Sequence, residues 1–292
     1  MTGILDGKKT ARDIRAQLRE RVHRCLGAGK RSPFLAVILV GNDPASRLYV
    51  GHKEKACREV GIASETYEFP EKTDEEQILK LVRKLNQDDT VDGILVQLPL
   101  PAHICRTRVI SAIEACKDVD GLTPVNQGML AMGLPSLRPC TPVGILELLR
   151  KYSIRLDGQL AAVIGRSHLV GSPLCRLLSL HNATVINIHR RSPSPESLCR
   201  QADIVIAAAG QRHLVTESWV REGAVVVDVG IHRTSDGHLT GDVDFSLVSK
   251  KTAWITPVPG GVGPMTIASL LSNCLMAFGE RAEKDETQSP LK

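Results

Sequence analysis

Short apolar runs alternate with stretches of helically spaced apolar residues along this chain of 292 residues. This alternation constrains the fold more than any other feature. Short apolar runs, such as those at residues 34–40 and 93–97, are typical of buried strands. Between them lie stretches in which apolar residues recur with helical spacing. Parallel strands need a crossover connection, which a helix usually supplies. The pattern therefore predicts an α/β fold with parallel sheets covered by helices.

The alternation occurs twice, on the two sides of a turn-rich stretch at residues 135–142. Strands are predicted at residues 34–40, 66–69, 93–97, 160–164, 183–188, 203–208, 224–229 and 253–255. The principal helices are predicted at residues 45–60, 74–86, 170–180 and 264–279. We therefore expect two α/β domains joined near residue 140, which also fits a typical domain size of about 150 residues.

Charge and composition argue against a polymer or membrane partner. The chain has 37 basic and 32 acidic residues, and the basic ones are spread along its length. With only four phenylalanines, three tyrosines and two tryptophans, neither a basic stripe nor a stacking platform for nucleic acid is expected. The apolar runs are short, so we expect no apolar stretch of roughly 18 residues, the length that a membrane-spanning helix needs.

The cysteines and histidines predict neither disulfides nor a metal site. The eight cysteines contain no C-x-x-C pair, and the nine histidines contain no H-x-x-x-H pair. We expect reduced thiols, a cytoplasmic location and no structural metal. The arginine-rich opening also carries Asp6, Asp13 and Glu20, which is unlike a mitochondrial presequence, so a solvated helix face is the preferred interpretation.

A turn formed by Gly165, Arg166 and Ser167 follows the strand predicted at residues 160–164 and opens the next helix. In this position backbone N–H groups and the helix N-terminus can bind a pyrophosphate. The turn departs from G-x-G-x-x-G, because Ser167 replaces the second glycine and the third falls one place late, at Gly171. Taken alone, the pattern fits a tight turn without a ligand as well as a nucleotide site.

The end of the following strand favours NADP over NAD. NAD-binding proteins usually carry an acidic residue there, which holds the ribose hydroxyls. This chain has Arg190, Arg191 and Ser192 instead. Arginine can pair with a 2′-phosphate, which an acidic residue would repel, and Arg166 could add a second positive charge. The alternative is a solvated basic loop.

Ser46, Tyr49 and Lys53 stand at helical spacing on the helix predicted at residues 45–60, so they share one face. Tyr-x-x-x-Lys is also the catalytic pair of short-chain dehydrogenases, which gives an alternative function. In that family the nucleotide turn precedes the pair, and here the order is reversed. A third possibility is a tyrosine and a lysine without catalytic function on an amphipathic helix.

Seven runs spread over nearly the whole chain resemble, in kind, order and spacing, the bifunctional methylenetetrahydrofolate dehydrogenase/methenyltetrahydrofolate cyclohydrolase family. The runs are residues 92–101 (DGILVQLPLP), 117–122 (KDVDGL), 139–142 (PCTP), the Gly165 turn, 227–231 (VDVGI), 241–243 (GDV) and 256–266 (TPVPGGVGPMT). The resemblance implies a folate-binding catalytic α/β domain at residues 1–140 and a Rossmann-like NADP-binding domain at residues 141–264. The last helix, at residues 265–292, is expected to return to the first domain.

The resemblance also assigns site residues. It places the family's catalytic lysine at Lys53, the partner tyrosine and serine at Tyr49 and Ser46, the glutamine at Gln97 and the pterin-binding aspartate at Asp120. The implied substrate-binding residues are Tyr49, Lys53, Val96, Gln97, Leu98, Asp120, Pro257, Pro259, Gly260 and Gly261. The implied cofactor-binding residues are Gly165, Arg166, Ser167, Arg190, Arg191, Ser192 and Ile231.

The activity that the resemblance implies is oxidation of methylenetetrahydrofolate with NADP, followed by hydrolysis of the methenyl product. Some relatives use NAD with a bound phosphate ion, and Arg190 and Arg233 fit that scheme as well. A homodimer is also implied. A catalytically silent folate- or nucleotide-binding relative is a further alternative, although the intact Lys53, Gln97 and Asp120 argue against it.

Overall fold

The computed structural model describes residues 2–288, with side chains described as far as Gly279. Its strands are Gly3–Ile4 (β1), Phe34–Val40 (β2), Ala63–Phe69 (β3), Gly93–Val96 (β4), Leu160–Ile164 (β5), Thr184–Ile188 (β6), Ile204–Ala207 (β7), Val225–Asp228 (β8), His232–Arg233 (β9), Leu239–Thr240 (β10) and Trp254–Ile255 (β11). Its α-helices are Gly7–Gly27 (α1), Pro44–Val60 (α2), Glu75–Gln87 (α3), Arg106–Ser111 (α4), Pro124–Met132 (α5), Cys140–Lys151 (α6), Gly171–Leu180 (α7), Pro195–Arg200 (α8), Phe245–Val248 (α9) and Val262–Gln288 (α10). Glu217–Trp219 forms a single 3₁₀ turn.

The predicted α/β class is confirmed, and each predicted strand is present with small shifts at its ends. Helices α4, α5, α6, α8 and α9 were not predicted, and α6 begins inside the stretch interpreted as turns. Pro142 lies in its first turn, where the missing N–H costs no hydrogen bond. Ile145, Leu148 and Leu149 are completely buried at the spacing of one helical face, so the helical pattern was present behind the prolines.

Residues 13–140 and 267–288 form one compact unit, called here the N-terminal unit. Its sheet is parallel, with the strand order β3-β2-β4. Alternate residues of β2 enter two apolar clusters, one on each face of the sheet. One face packs with residues of α1, α2 and α10, and the other packs with residues of α3 and α4. The last helix is therefore part of the core of this unit, as expected.

Residues 2–12 and 141–266 form the second compact unit, called here the C-terminal unit. Its six strands are ordered β1-β11-β8-β7-β5-β6, and every neighbouring pair is parallel. The strand order reverses direction between β5 and β7. In open α/β sheets, ligands bind at the carboxyl ends of the strands beside such a switch point. A short antiparallel ladder of β9 and β10 extends from this unit.

The N-terminal residues lie in a different unit from the one expected. The expected first domain began at residue 1, but β1 pairs with β11, and the N–H groups of Gly3 and Leu5 donate to the carbonyls of Ala253 and Ile255 at 2.8 and 2.9 Å. Gly3 permits this pairing, because a Cβ there would lie 2.3 Å from the Trp254 ring. Helix α1 then leads from this sheet into the N-terminal unit.

The stretch Val262–Gly279 of α10 is long and apolar enough to cross a membrane by length and composition. This corrects the expectation that no stretch of the chain reaches that length. However, 61% of the stretch is buried within the protein. Leu270, Leu271, Cys274 and Phe278 pack in the core of the N-terminal unit, which accounts for their apolar character.

Candidate functional site

Helix α2 carries Ser46, Tyr49 and Lys53 on its inner face. The helix begins after Asp43, whose side chain accepts hydrogen bonds from the backbone N–H and the hydroxyl of Ser46 at 2.8 and 2.7 Å. Ser46 and Lys53 are only 4% and 6% exposed, and Tyr49 packs against the core. The shared face predicted from their spacing is present. The capping role of Asp43 was not anticipated, although an aspartate directly before Pro44 is a common start signal.

Lys53 and Gln97 are in direct contact. The Lys53 ammonium donates to Gln97 Oε1 at 2.9 Å, and the Nε2 group of Gln97 donates to the Leu98 carbonyl at 2.6 Å. The Gln97 backbone N–H continues the sheet ladder by donating to Ile38 at 2.8 Å. Gln97 is therefore held at both ends, with its carbonyl oxygen aimed at the amine.

Asp120 reaches the same place from a neighbouring segment. Asp118 forms a parallel bridge with Ile94 of β4, so the chain that follows runs out at the same sheet edge as Gln97. The Asp120 carboxylate lies close enough to interact electrostatically with Tyr49 and Lys53. The sheet thus brings together three residues that lie far apart in the sequence.

Burial changes the proton affinities of this group. It lowers the pKa of Lys53, because an ammonium loses solvation in the interior, and the Asp120 carboxylate opposes this change. Burial likewise raises the pKa of Asp120, which nearby Lys53 opposes. It raises the pKa of Tyr49 too, and Asp120 adds to the increase. The Lys53 nitrogen lies 5.4 Å from the centre of the Tyr49 ring.

Cys140 belongs to this cluster, although the sequence analysis quoted it only as part of a run. Its thiol donates to the carbonyl oxygen of Val119 at 3.2 Å and lies close enough to Asp120 to interact with it electrostatically. Burial raises the pKa of Cys140 well above the ordinary value, so the thiol stays protonated. No spacing rule pointed to this residue, because its partners are distant in the sequence.

In the C-terminal unit, the turn after β5 approaches other backbone closely. Gly165 has φ +115°, and a Cβ there would lie 2.1 Å from the carbonyl oxygen of Ala208. A Cβ on Gly171 would lie 2.2 Å from the carbonyl oxygen of Gly165. The Ser167 hydroxyl accepts from the N–H of Val170 at 3.2 Å. These approaches meet the steric demands of a dinucleotide turn despite the irregular glycine spacing.

Two hydrogen bonds that involve His189 hold the basic turn after β6. The N–H of Arg191 donates to His189 Nδ1 at 3.2 Å, and the N–H of His189 donates to the Ser192 hydroxyl at 3.0 Å. Arg166, Arg190 and Arg191 are all exposed. Since β6 is the neighbour of β5, these cations lie on the edge of the sheet where the Gly165 turn begins. The turn contains no acidic residue.

Two buried carboxylates organise the loops after β7 and β8, and the sequence analysis singled out neither. Asp242 accepts from the N–H groups of Ala209 and Gly210 at 2.7 and 2.9 Å. Asp228 accepts from the N–H groups of Gly230, Asp242 and Val243 at 2.9 to 3.0 Å. Ile231, which follows this cluster, is 52% exposed.

The proline- and glycine-rich loop before α10 is joined to the start of α1. The N–H of Lys8 donates to the carbonyl of Gly260 at 2.8 Å. A Cβ on Gly7 would lie 1.8 Å from the carbonyl oxygen of Gly261, so the two backbones are in direct contact. In this loop Pro259 is exposed, whereas Gly261 is buried.

Of the candidate residues, Val96 and Leu98 flank Gln97 at the end of β4, and Arg233 lies in β9. Within the described part of the chain, no three histidine, cysteine, aspartate or glutamate side chains form a group that could hold a metal ion.

Comparison with known proteins gives matches over almost the full length. Residues 5–120 match the catalytic domain of tetrahydrofolate dehydrogenase/cyclohydrolase, and residues 139–282 match its NAD(P)-binding domain. The bifunctional protein FolD of Sorangium cellulosum is 51% identical, covering 96% of this chain and 98% of its own.

Solved structures agree with these matches. The bifunctional FolD methylenetetrahydrofolate dehydrogenase/cyclohydrolase of Campylobacter jejuni has a TM-score of 0.94 at 46% identity, covering 96% of this chain and 100% of its own. The Trypanosoma brucei methylenetetrahydrofolate dehydrogenase-cyclohydrolase, solved with NADP cofactor and inhibitor, has a TM-score of 0.93 at 36% identity, covering 96% and 98%.

Proposed function

The chain belongs to the tetrahydrofolate dehydrogenase/cyclohydrolase family, and we propose that Lys53, Gln97 and Asp120 perform its folate chemistry. It oxidises 5,10-methylenetetrahydrofolate to 5,10-methenyltetrahydrofolate with NADP⁺ and hydrolyses the product to 10-formyltetrahydrofolate in one-carbon metabolism. The family assignment displaces the short-chain dehydrogenase alternative. The observation that carries the residue assignment is the buried Lys53–Gln97 contact beside Asp120.

The oxidation needs orientation more than proton transfer. NADP⁺ supplies the acceptor for the hydride that leaves the methylene carbon. The remaining charge is shared by the two nitrogens of the methenyl bridge, so no residue has to neutralise it. In this step we assign binding and alignment to Asp120, Tyr49 and Gln97, because reacting atoms must be held at contact distance.

The hydrolysis needs a base, and Lys53 can serve as one. The water oxygen bonds to the methenyl carbon while a water proton moves to the neutral Lys53 amine. One carbon–nitrogen bond then breaks as the added hydroxyl oxygen becomes the formyl carbonyl, and the hydroxyl proton moves to the leaving nitrogen, so that the proton held on Lys53 is the one that the overall reaction releases. Burial already lowers the pKa of Lys53, and a cationic substrate beside it acts in the same direction. Gln97 accepts a hydrogen bond from the amine and directs it.

Asp120 suits recognition of the pterin. Its two carboxylate oxygens can accept from the amino group and the ring N–H of the heterocycle, a paired geometry that neutral side chains match less well. The nearby Lys53 favours the ionised carboxylate, and the neighbouring Cys140 thiol does so as well. Val96, Leu98, Pro257, Pro259, Gly260 and Gly261 complete the proposed substrate-binding set.

NADP fits the residues of the C-terminal unit. We assign the pyrophosphate to the Gly165–Ser167 turn at the start of α7 and the 2′-phosphate to Arg166, Arg190, Arg191 and Ser192. Ile231, which is exposed after β8, is included in the proposed cofactor-binding set. On this basis the N-terminal unit is the folate-binding catalytic domain and the C-terminal unit is the NADP-binding domain. We also propose a homodimer in the cytoplasm, without nucleic-acid or membrane partners.

Lysine substitution on α2 tests this proposal. Lys53→Met should abolish methenyl hydrolysis and leave tetrahydrofolate binding largely intact, because it removes the base while keeping the buried aliphatic volume. Lys55→Met is the matched control, since Lys55 is exposed on the same helix. Hydrolysis is followed as decay of the methenyl chromophore above the buffer rate. Unchanged hydrolysis in Lys53→Met would remove Lys53 from the mechanism.

A further inference from the structure

Asn273 of α10 contacts both chain segments that lie beside Asp120. Its Nδ2 group donates to the carbonyl of Val119 and to that of Arg138, each at 2.9 Å. The residue is 5% exposed. An amide NH₂ group has two hydrogens, so this one side chain bridges two buried carbonyls.

The turn that carries Asp120 is pressed against the second of these segments. Gly121 has φ +68°, and a Cβ there would lie 2.4 Å from the carbonyl carbon of Arg138 and 2.6 Å from the nitrogen of Pro139. The N–H of Gly121 closes the turn by donating to the Asp118 carbonyl at 3.0 Å. A small shift between the two segments would therefore move Asp120.

The opposite side of the turn is anchored separately. The Asp118 carboxylate accepts from the Thr123 N–H at 2.7 Å and from Asn126 Nδ2 at 2.9 Å. These bonds fix the direction in which the turn leaves the sheet. On the α10 side, Asn273 Nδ2 also lies 3.6 Å from the Cys140 sulfur, and the Cys140 thiol interacts electrostatically with Asp120.

We propose that Asn273 is a positioning residue that holds Asp120 in place for the pterin, an inference that rests on the proposed role of Asp120. The contact requires an amide NH₂ donor on a side chain of the length of asparagine. Leucine has a similar size but no donor, whereas aspartate has the same shape but would direct acceptors at two carbonyls. Glutamine would carry the donor one methylene too far.

A double-mutant cycle tests the inference with the full-length enzyme. Asn273→Leu, Asp120→Asn and the double variant are compared by the KM for methylenetetrahydrofolate, the KM for NADP⁺ and calorimetric titration with tetrahydrofolate. In Asn273→Leu we expect the folate KM to rise about tenfold, the scale of one hydrogen bond, with the NADP⁺ KM within twofold of the wild type. In the Asp120→Asn background the same substitution should change the folate KM by less than about twofold, because the residue acts through Asp120.

Cys274→Ala is the matched control, since the neighbouring Cys274 is completely buried in the apolar core. It should lower the melting temperature without changing the folate KM. If Asn273→Leu behaves like this control, the inference is overturned. It is also overturned, with the proposed function intact, if the tenfold effect persists in the Asp120→Asn background. If Asp120→Asn itself binds folate normally, the proposed role of Asp120 fails and the inference with it. Should Asn273→Leu not fold, Asn273→Ser retains one donor and gives the same comparison with a smaller expected rise.

Discussion

A single methyl group at the start of α1 should disable the enzyme from a position that carries no functional side chain. In Gly7→Ala, the added Cβ would lie 1.8 Å from the Gly261 carbonyl oxygen. Real Cβ contacts below 3.0 Å are essentially absent, so the two backbones must separate by about 1.2 Å. Neither side can yield by rotating a side chain, because the contact joins backbone to Cβ.

The separation would displace the loop whose residues Pro257, Pro259, Gly260 and Gly261 we assign to folate binding. A misplacement of about 1 Å at a positioning element can cost about 100-fold in rate. We therefore expect kcat/KM of the dehydrogenase to fall by about that factor in Gly7→Ala. Overpacking of this kind also destabilises a protein, typically by about 1–3 kcal/mol, and the variant should melt at a lower temperature.

Gly27→Ala is the matched control, because Gly27 lies on the same helix and its added Cβ would meet no atom within 4 Å. The assay follows reduced nicotinamide with methylenetetrahydrofolate varied at saturating NADP⁺, per folded molecule. The control should keep wild-type kcat/KM within about twofold. If Gly7→Ala also kept wild-type kcat/KM while melting at a lower temperature, the contact of this loop with α1 would not position the reactants.

Three further substitutions probe the charges of the two units. Arg190→Ala should weaken NADP⁺ binding by about 1.5–3 kcal/mol and leave NAD⁺ binding nearly unchanged, because only NADP⁺ carries the 2′-phosphate. Equal losses of affinity for the two cofactors in binding titrations would refute the assignment of Arg190. Asp120→Asn removes the negative charge that stabilises the Lys53 ammonium, so the pKa of Lys53 falls further. The rising limb of the hydrolysis rate against pH, measured at saturating substrate, should therefore move to lower pH. A rising limb at the same or a higher pH would contradict this. Asp228→Asn keeps one acceptor oxygen where three N–H groups now donate, so it should lower the free energy of unfolding in urea by about 1–3 kcal/mol. Asp236→Asn, at an exposed site, is the control and should change the free energy of unfolding little.

Features that depend on local pattern could be predicted from the order of the amino acids alone. The alternating spacing of apolar residues predicted two parallel sheets and nearly all of their strands, because a few residues of a strand or helix are enough to identify its buried face. The turn at Gly165 and the cations at Arg190 and Arg191 could be placed at strand ends for the same reason. The resemblance added residue roles, which spacing alone left open at Tyr49 and Lys53.

Features that depend on contacts between distant residues became visible only in the folded chain. Only the sheet brings Lys53, Gln97 and Asp120 to one edge, and only the packing of α10 places Asn273 beside Asp120. The pairing of β1 with β11 moved residues 2–12 into the C-terminal unit, since a strand of two residues is too short to have a period. Gly7 is the clearest example. Its need for glycine arises from the Gly261 carbonyl, 254 residues away, and no local pattern records such a neighbour.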